Sequence, residues 1–359
     1  MIWLLACVGA LIEGDDPQRE STLRLRWLQG YPEETWPLAE EGLWWALSDL
    51  GAMPAAGALE EVRAGRDEVV FDLDLSRLGL ADGALETVRL ELAESAERAE
   101  FGAVDLGRFL LRTLYEPWRY YAITGACLSR PEVLEAEHYA VTTSLLLTGD
   151  RLLSYAPNPA SVDEVLFLAG EGEGDIAEGS FVATEFETVS LLPNGQFRYA
   201  IYDALGALVP AATEGPAGQP GKCRWCHEYH LQTGTPENES AEGYVDYARF
   251  VEQVAVATAR SDEARAEVPG VAWPGDVAHD RAEWLAEAFM WPDAARVRLE
   301  YGEIDLEGLS TTDLVEYGWS DRYRRADIDA RAPFPVVPVV DDTREGGGEY
   351  AEAELPGCE

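Results

Sequence analysis

Lysine is almost absent from this chain of 359 residues, and histidine and methionine are scarce. Lys222 is the only lysine, and the chain contains 4 His and 3 Met. Acidic residues outnumber basic ones by 67 to 27, which gives a formal net charge of -40. Because so acidic a surface repels phosphate backbones and anionic lipid headgroups, the composition argues against nucleic-acid binding.

Common catalytic signatures are also missing from the sequence. It contains no P-loop, no G-x-S-x-G and no H-E-x-x-H, and no D-x-D-x-D-G calcium loop. With so few histidines there is no evident set of nucleophile, base and acid. These absences favour an electron carrier or a binding protein over an enzyme.

The rest of the composition is that of a globular protein, with 47% hydrophobic residues and 11 Trp, 15 Tyr and 10 Phe. A chain of this length buries a sizeable core in one large domain or two modest ones. The hydrophobic patterns predict an α+β fold. The regions that we distinguish are a mixed, helix-rich part over 13–130, an antiparallel β part over 131–213, a motif-bearing helical part over 214–331 and an acidic, Pro/Gly-rich tail over 332–359.

Several stretches carry local structural signals. Apolar spacing predicts a helix over Trp36–Leu50, and strict alternation predicts a strand over Glu68–Leu75. Two alternating runs, Phe181–Leu192 and Phe197–Tyr202, flank an Asn-Gly pair and predict a β-hairpin. The aromatic run Tyr115–Tyr121 is expected to pack into a core rather than to form a binding surface.

One motif points to specific chemistry. Cys223, Cys226 and His227 form the pattern C-x-x-C-H, in which two thiols add across the haem vinyl groups and the adjacent imidazole becomes the proximal iron ligand. On these residues the stretch 215–302 resembles the c-type cytochromes. The resemblance implies one covalent haem c and a role in electron transfer or redox sensing, with a redox partner protein that the sequence does not identify.

The same resemblance draws attention to the sixth iron ligand. Met290 lies downstream of the motif and precedes Trp291-Pro292, as the distal methionine of small cytochromes c does, and His279 is the competing candidate. His230 is a poor candidate, because it lies one helical turn from His227 and projects to the same side of the porphyrin.

Two other chemistries fit the motif. A structural zinc site can use Cys223, Cys226, His227 and His230, although residues at this spacing on one helix face need help from His138 or His279 to close a tetrahedron. A disulfide between Cys223 and Cys226 is the other alternative. Either one predicts a non-enzymatic cell-envelope lipoprotein rather than a cytochrome.

The amino terminus and the other cysteines bear on localisation. Residues 1–12 form an apolar run in which Leu4-Leu5-Ala6-Cys7 resembles a bacterial lipobox, so Cys7 is a candidate lipidation site and a possible membrane attachment. The competing interpretation is a buried first strand or helix. Because haem c is attached outside the cytoplasm, we expect a periplasmic protein or an outer-membrane lipoprotein. Cys127 and Cys358 then remain as a candidate disulfide.

Overall fold

The structure is a computed structural model. It describes residues 21–29, 35–133, 135–141, 150–157, 165–212, 220–227, 231 and 243–268. These residues form two β-sheets with helices packed against them, so the predicted α+β class is confirmed. The candidate export segment 1–12 and the acidic tail 332–359 lie outside the described residues, and the division of the chain into regions stays a prediction.

A four-stranded sheet forms the first part of the described chain. Its strands, in spatial order, are β2 (Leu59–Ala64), β3 (Glu68–Asp74), β1 (Thr22–Leu28) and β4 (Val104–Asp105). β1 runs antiparallel to β3 and parallel to β4, so the sheet is mixed. The helices of this part are α1 (Trp36–Ser48), α2 (Glu86–Ala93), α3 (Ala96–Phe101), α4 (Leu106–Leu114) and α5 (Pro117–Thr124).

The expectation of a helix-rich N-terminal part is therefore wrong. Two of the strands give little local signal, since β2 is exposed along most of its length and β4 has only two residues. Their pairing with distant strands, rather than their own pattern, makes them part of the sheet. The helix predicted over Trp36–Leu50 and the strand predicted over Glu68–Leu75 are confirmed as α1 and β3.

A five-stranded antiparallel sheet follows, as predicted. Its strands pair in chain order: β5 (Glu137–Val141), β6 (Arg151–Tyr155), β7 (Val165–Glu173), β8 (Val182–Leu191) and β9 (Phe197–Asp203). The last described helices are α6 (Pro220–His227) and α7 (Tyr247–Ala266). Among the helices described, none is both long and apolar enough to cross a lipid bilayer.

Two hydrophobic clusters hold the fold together. The first lies between the four-stranded sheet, α1, α4 and α5, and includes Leu25, Phe71 and Leu110, each fully buried. The second lies between the five-stranded sheet and α7, where Tyr139 and Phe250 stack with ring centroids 4.3 Å apart. Each fully buried side chain of this size contributes about 1.5–3 kcal/mol through its removal from water.

The predicted hairpin turn is present between β8 and β9, and it is buried. The side-chain amide of Asn194 donates to the carbonyl oxygens of Ser48 and Ala52, at 2.7 and 3.1 Å. On the other side of the turn, the Ser261 hydroxyl of α7 donates to the carbonyl oxygen of Gly195 at 2.6 Å. The turn therefore joins the C-terminal end of α1 to the C-terminal part of α7.

Candidate functional site

The helix α6 carries the whole C-x-x-C-H motif. It begins at Pro220, whose fixed backbone angle suits the first turn of a helix. The helix packs against α5 and β9, where the first and second hydrophobic clusters approach each other. Because Cys223 and His227 are four residues apart, they lie on one face of α6, one turn from each other.

Cys223 forms no disulfide and lies in a dry, aromatic environment. The residue is 8% exposed and belongs to the second hydrophobic cluster, together with Tyr199 and Phe250. It also lies near the first cluster. Burial, with a smaller contribution from the nearby Cys223, raises the pKa of Tyr121 well above its ordinary value. The thiol therefore sits between aromatic groups of both clusters.

His227 is half-buried at the C-terminal end of α6. Its ring stacks on that of Tyr199 in β9, with centroids 5.7 Å apart and an angle of 20° between the planes. Stacking covers one face of the imidazole. It does not interfere with metal binding, because an imidazole binds a metal through a nitrogen lone pair in the plane of the ring. Tyr199 thus limits the rotation of the ring about its side-chain torsions.

Gly221 explains how α6 approaches the rest of the protein so closely. A Cβ atom at this position would overlap the carbonyl oxygen of Leu114, at the end of α4. The close neighbour of the Gly221 backbone is therefore the backbone at Leu114.

The described residues fit a covalent haem in their chemistry. Attachment needs both thiols of the motif and the imidazole after the second cysteine, and it favours an apolar wall. Cys223, His227 and the aromatic cluster match this set in part, and the Cys226 side chain lies outside the described ones. Cys223 is not in a disulfide, so the structure contains no bond between Cys223 and Cys226.

The zinc alternative loses one of its expected ligands. His138 and Tyr139 are consecutive in β5, so their side chains point to opposite faces of the sheet. Tyr139 shares a cluster with Cys223, whereas His138 makes a hydrogen bond of 2.9 Å with the Ser154 hydroxyl on the other face. Within the part of the chain that the structure describes, no group of three or more His, Cys, Asp or Glu residues is arranged to hold a metal ion.

The remaining candidates are only partly covered by the described residues. Cys127 is disulfide-bonded, and its predicted partner Cys358 lies outside the described residues, so this pairing stays a prediction. Cys226 belongs to α6, but its side chain is not among those described. The other candidates outside the described residues are Cys7, His230, His279 and Met290.

Sequence reasoning missed the partners of the motif. Tyr199 in β9 stacks on His227, and its backbone N–H donates to the Tyr120 hydroxyl at 3.1 Å. Both tyrosines lie far from the motif in sequence, so no spacing rule connects them to it. The aromatic run Tyr115–Tyr121 did indicate a core, which is confirmed by the burial of Tyr115, Tyr120 and Tyr121.

Comparison with known proteins assigns no family. No protein-family model matches the chain, and neither curated proteins nor solved structures give a match.

A group of carboxylates lies on the face of the second sheet that also carries Tyr199. Arg151, Glu171 and Glu185 are directly opposite one another on β6, β7 and β8, and Glu187 lies two residues from Glu185. Burial, then the neighbouring Glu187 carboxylate, raises the pKa of Glu171 to about 8, and the ion pair with Arg151 does not offset this. The buried carboxyl therefore binds a proton more tightly than it does in the unfolded chain.

This raised pKa predicts a pH dependence of stability. An unfolded Glu ionises near pH 4.3, so between about pH 5 and pH 8 the folded state holds a proton at Glu171 that the unfolded state has lost. The stabilisation that Glu171 provides is present at low pH and is lost as the pH rises.

We expect urea midpoints to fall from pH 5 to pH 9 more steeply in the native protein than in Glu171→Gln. Glu173→Gln, at the exposed end of β7, is the matched control and should keep the native slope. Equal slopes for native protein and Glu171→Gln would contradict the assignment.

Proposed function

We propose that this chain is an exported protein that carries one covalent haem on α6 and uses it in electron transfer or redox sensing. In this proposal Cys223 and Cys226 form the thioether bonds, and His227 is the proximal iron ligand. The observation that carries the proposal is a buried Cys223, outside any disulfide, with His227 one turn further along the same helix face. When bound, the haem would supply a one-electron redox centre.

The residues around the motif have definable tasks. The regular helix α6 fixes the spacing between Cys223 and His227, so that one face of the helix would supply both groups to the haem. Tyr199 holds the plane of the His227 ring by stacking on it. The aromatic cluster of Tyr139, Phe167 and Phe250 excludes water, and a dry environment favours the less charged, reduced state of a haem iron.

The disulfide at Cys127 supports export. Structural disulfides persist in the periplasm and outside the cell, and they are rare in the reducing cytosol. This is also the environment in which haem c is attached. Lipidation of Cys7, pairing of Cys127 with Cys358 and ligation by Met290 or His279 belong to the same proposal.

The decisive experiment is an absorption spectrum of protein from a bacterial host that co-expresses the cytochrome c maturation system. We expect a Soret band, and a c-type pyridine haemochrome that acid acetone does not extract. A colourless protein would overturn the proposal and favour the cell-envelope lipoprotein. In that case a metal assay on the same sample tests whether zinc is bound. Retention of zinc after dialysis, lost in Cys223→Ala, would establish the structural-metal alternative.

A further inference from the structure

A row of aromatic rings crosses α5 from the surface to the interior. Trp118 lies in the first turn of the helix and is half-buried, whereas Tyr120 and Tyr121 are almost fully buried. The Trp118 and Tyr121 ring centroids are 5.9 Å apart in an edge-to-face arrangement. Those of Tyr121 and Tyr120 are 6.1 Å apart. These separations are typical of aromatic pairs in direct contact.

The same row continues into the motif helix. The backbone N–H of Tyr199 donates a hydrogen bond of 3.1 Å to the hydroxyl oxygen of Tyr120. The Tyr199 ring in turn stacks on His227, with centroids 5.7 Å apart. Ring contacts and one hydrogen bond therefore link His227 to Trp118 without a gap. We call this set of four residues, Trp118, Tyr121, Tyr120 and Tyr199, the aromatic row.

The chemistry of these side chains suits electron movement. Tryptophan and tyrosine are among the side chains most easily oxidised by one electron, and close contacts couple their π-systems. Burial also raises the pKa values of Tyr120 and Tyr121, so both phenols keep their protons at neutral pH. The hydroxyl oxygens of Tyr120 and Tyr121 accept hydrogen bonds from the backbone N–H groups of Tyr199 and Ile201, which hold the two rings in place.

We propose that the aromatic row is the electron route between the haem site on α6 and the protein surface, with Trp118 as its outer end. This inference rests on the proposed function. In each transfer one electron leaves the iron for an external acceptor near Trp118, or arrives from an external donor. The iron is oxidised or reduced by one unit, and the external molecule changes by one unit in the opposite sense. No covalent bond forms or breaks.

Hydrogen peroxide tests the route, because it makes the haem site a strong oxidant. Peroxide takes up two electrons and two protons to give two water molecules. Haem iron that has been reduced beforehand would supply one electron, the Trp118 indole would supply the other through the row, and solvent would supply the two protons. The indole N–H proton passes to solvent, and two of the resulting indole radicals react with one water molecule to give one tryptophan and one hydroxytryptophan. Peptide mass spectrometry then measures the oxidised fraction at Trp118.

The variants separate the route from direct attack on the surface. We expect Tyr121→Phe to lower oxidation of Trp118 several-fold, because phenylalanine is not readily oxidised and interrupts the row. Tyr202→Phe is the matched control: Tyr202 is also buried, and its hydroxyl also donates to a backbone oxygen, that of Cys127, but it is not part of the row. It should leave the oxidised fraction unchanged.

Tyr121→Phe removes two hydrogen bonds, to Val209 and from Ile201, so its folding needs a check by thermal denaturation. Trp118→Phe gives an independent readout, since loss of the outer electron source should make peroxide bleach the haem several-fold faster. The route is overturned if Trp118 is oxidised to the same extent in Tyr121→Phe, or in haem-free protein, as in the native protein. An unchanged rate of haem bleaching in Trp118→Phe overturns it too. A protein that holds no haem before peroxide is added overturns the proposed function as well.

Discussion

Replacing Cys223 and Cys226 together by alanine is expected to remove all covalently bound haem. Thioether attachment has no other sulfur donors in α6, so the effect should be complete rather than partial. Pyridine haemochrome absorbance per mole of purified protein measures it. Because alanine is the best helix former, α6 should be kept, and circular dichroism should still show a folded chain.

The informative control is another cysteine, Cys127. Cys127→Ala removes a disulfide and should lower the free energy of unfolding by about 2–5 kcal/mol while the haem content per folded protein stays unchanged. Equal haem in native protein and the double alanine variant would show that the motif is not the attachment site. Loss of haem in Cys127→Ala, with the fold retained, would show that haem attachment needs Cys127 and would contradict attachment by Cys223 and Cys226 alone.

Gly195→Ala is expected to cause a large loss of stability. Gly195 has φ +89°, and a Cβ atom there would lie 2.6 Å from both the Arg265 nitrogen and the Ser261 carbonyl oxygen. Both neighbours are backbone atoms of α7, so they cannot rotate away. Overpacking and left-handed strain together should cost about 3 kcal/mol or more, visible as a lower urea midpoint.

Gly179→Ala separates the two causes. Gly179 has φ +70° but nothing within 4 Å of the added atom, so it tests left-handed strain alone. That strain should cost about 1–2 kcal/mol. A loss of the same size at both positions would mean that the turn after β8 is not packed against α7 as described.

Much of the fold follows from local patterns. The Asn-Gly pair at Asn194 predicts the hairpin because the type of turn it favours matches the twist of two antiparallel strands. The helix Tyr247–Ala266 starts after Asp246, a common N-cap residue, whose side chain accepts from the Arg249 N–H at 2.8 Å. These signals are contained within a few residues, so they can be recognised without the rest of the chain.

Other features depend on partners that the sequence does not reveal. The run Gly170–Gly179 has the glycine-rich composition of an exposed loop, yet β7 extends into it as far as Glu173. Glycine lets the strands approach closely here, since a Cβ atom at Gly172 would overlap the backbone of Val182. The burial of Asn194 likewise requires α1 and α7 to meet at the turn, and no turn signal contains that information.

Part of the candidate site likewise follows from local sequence, and part depends on long-range packing. The C-x-x-C-H spacing places Cys223 and His227 on one helix face from helical geometry alone. What surrounds them could not be predicted, because Tyr199 and Phe250 arrive from a different strand and helix. Long-range packing therefore decides whether the motif has the dry environment that a haem needs.

The mass of the intact, denatured protein tests the central claim most directly. After co-expression with the cytochrome c maturation system, we expect a measured mass equal to that of the polypeptide plus one haem. Reduction with a thiol should not remove the added mass, since thioether bonds resist it. A polypeptide mass without haem, from a protein that is folded and exported, would contradict the account. That result would favour a structural or metal-binding role for Cys223 and His227.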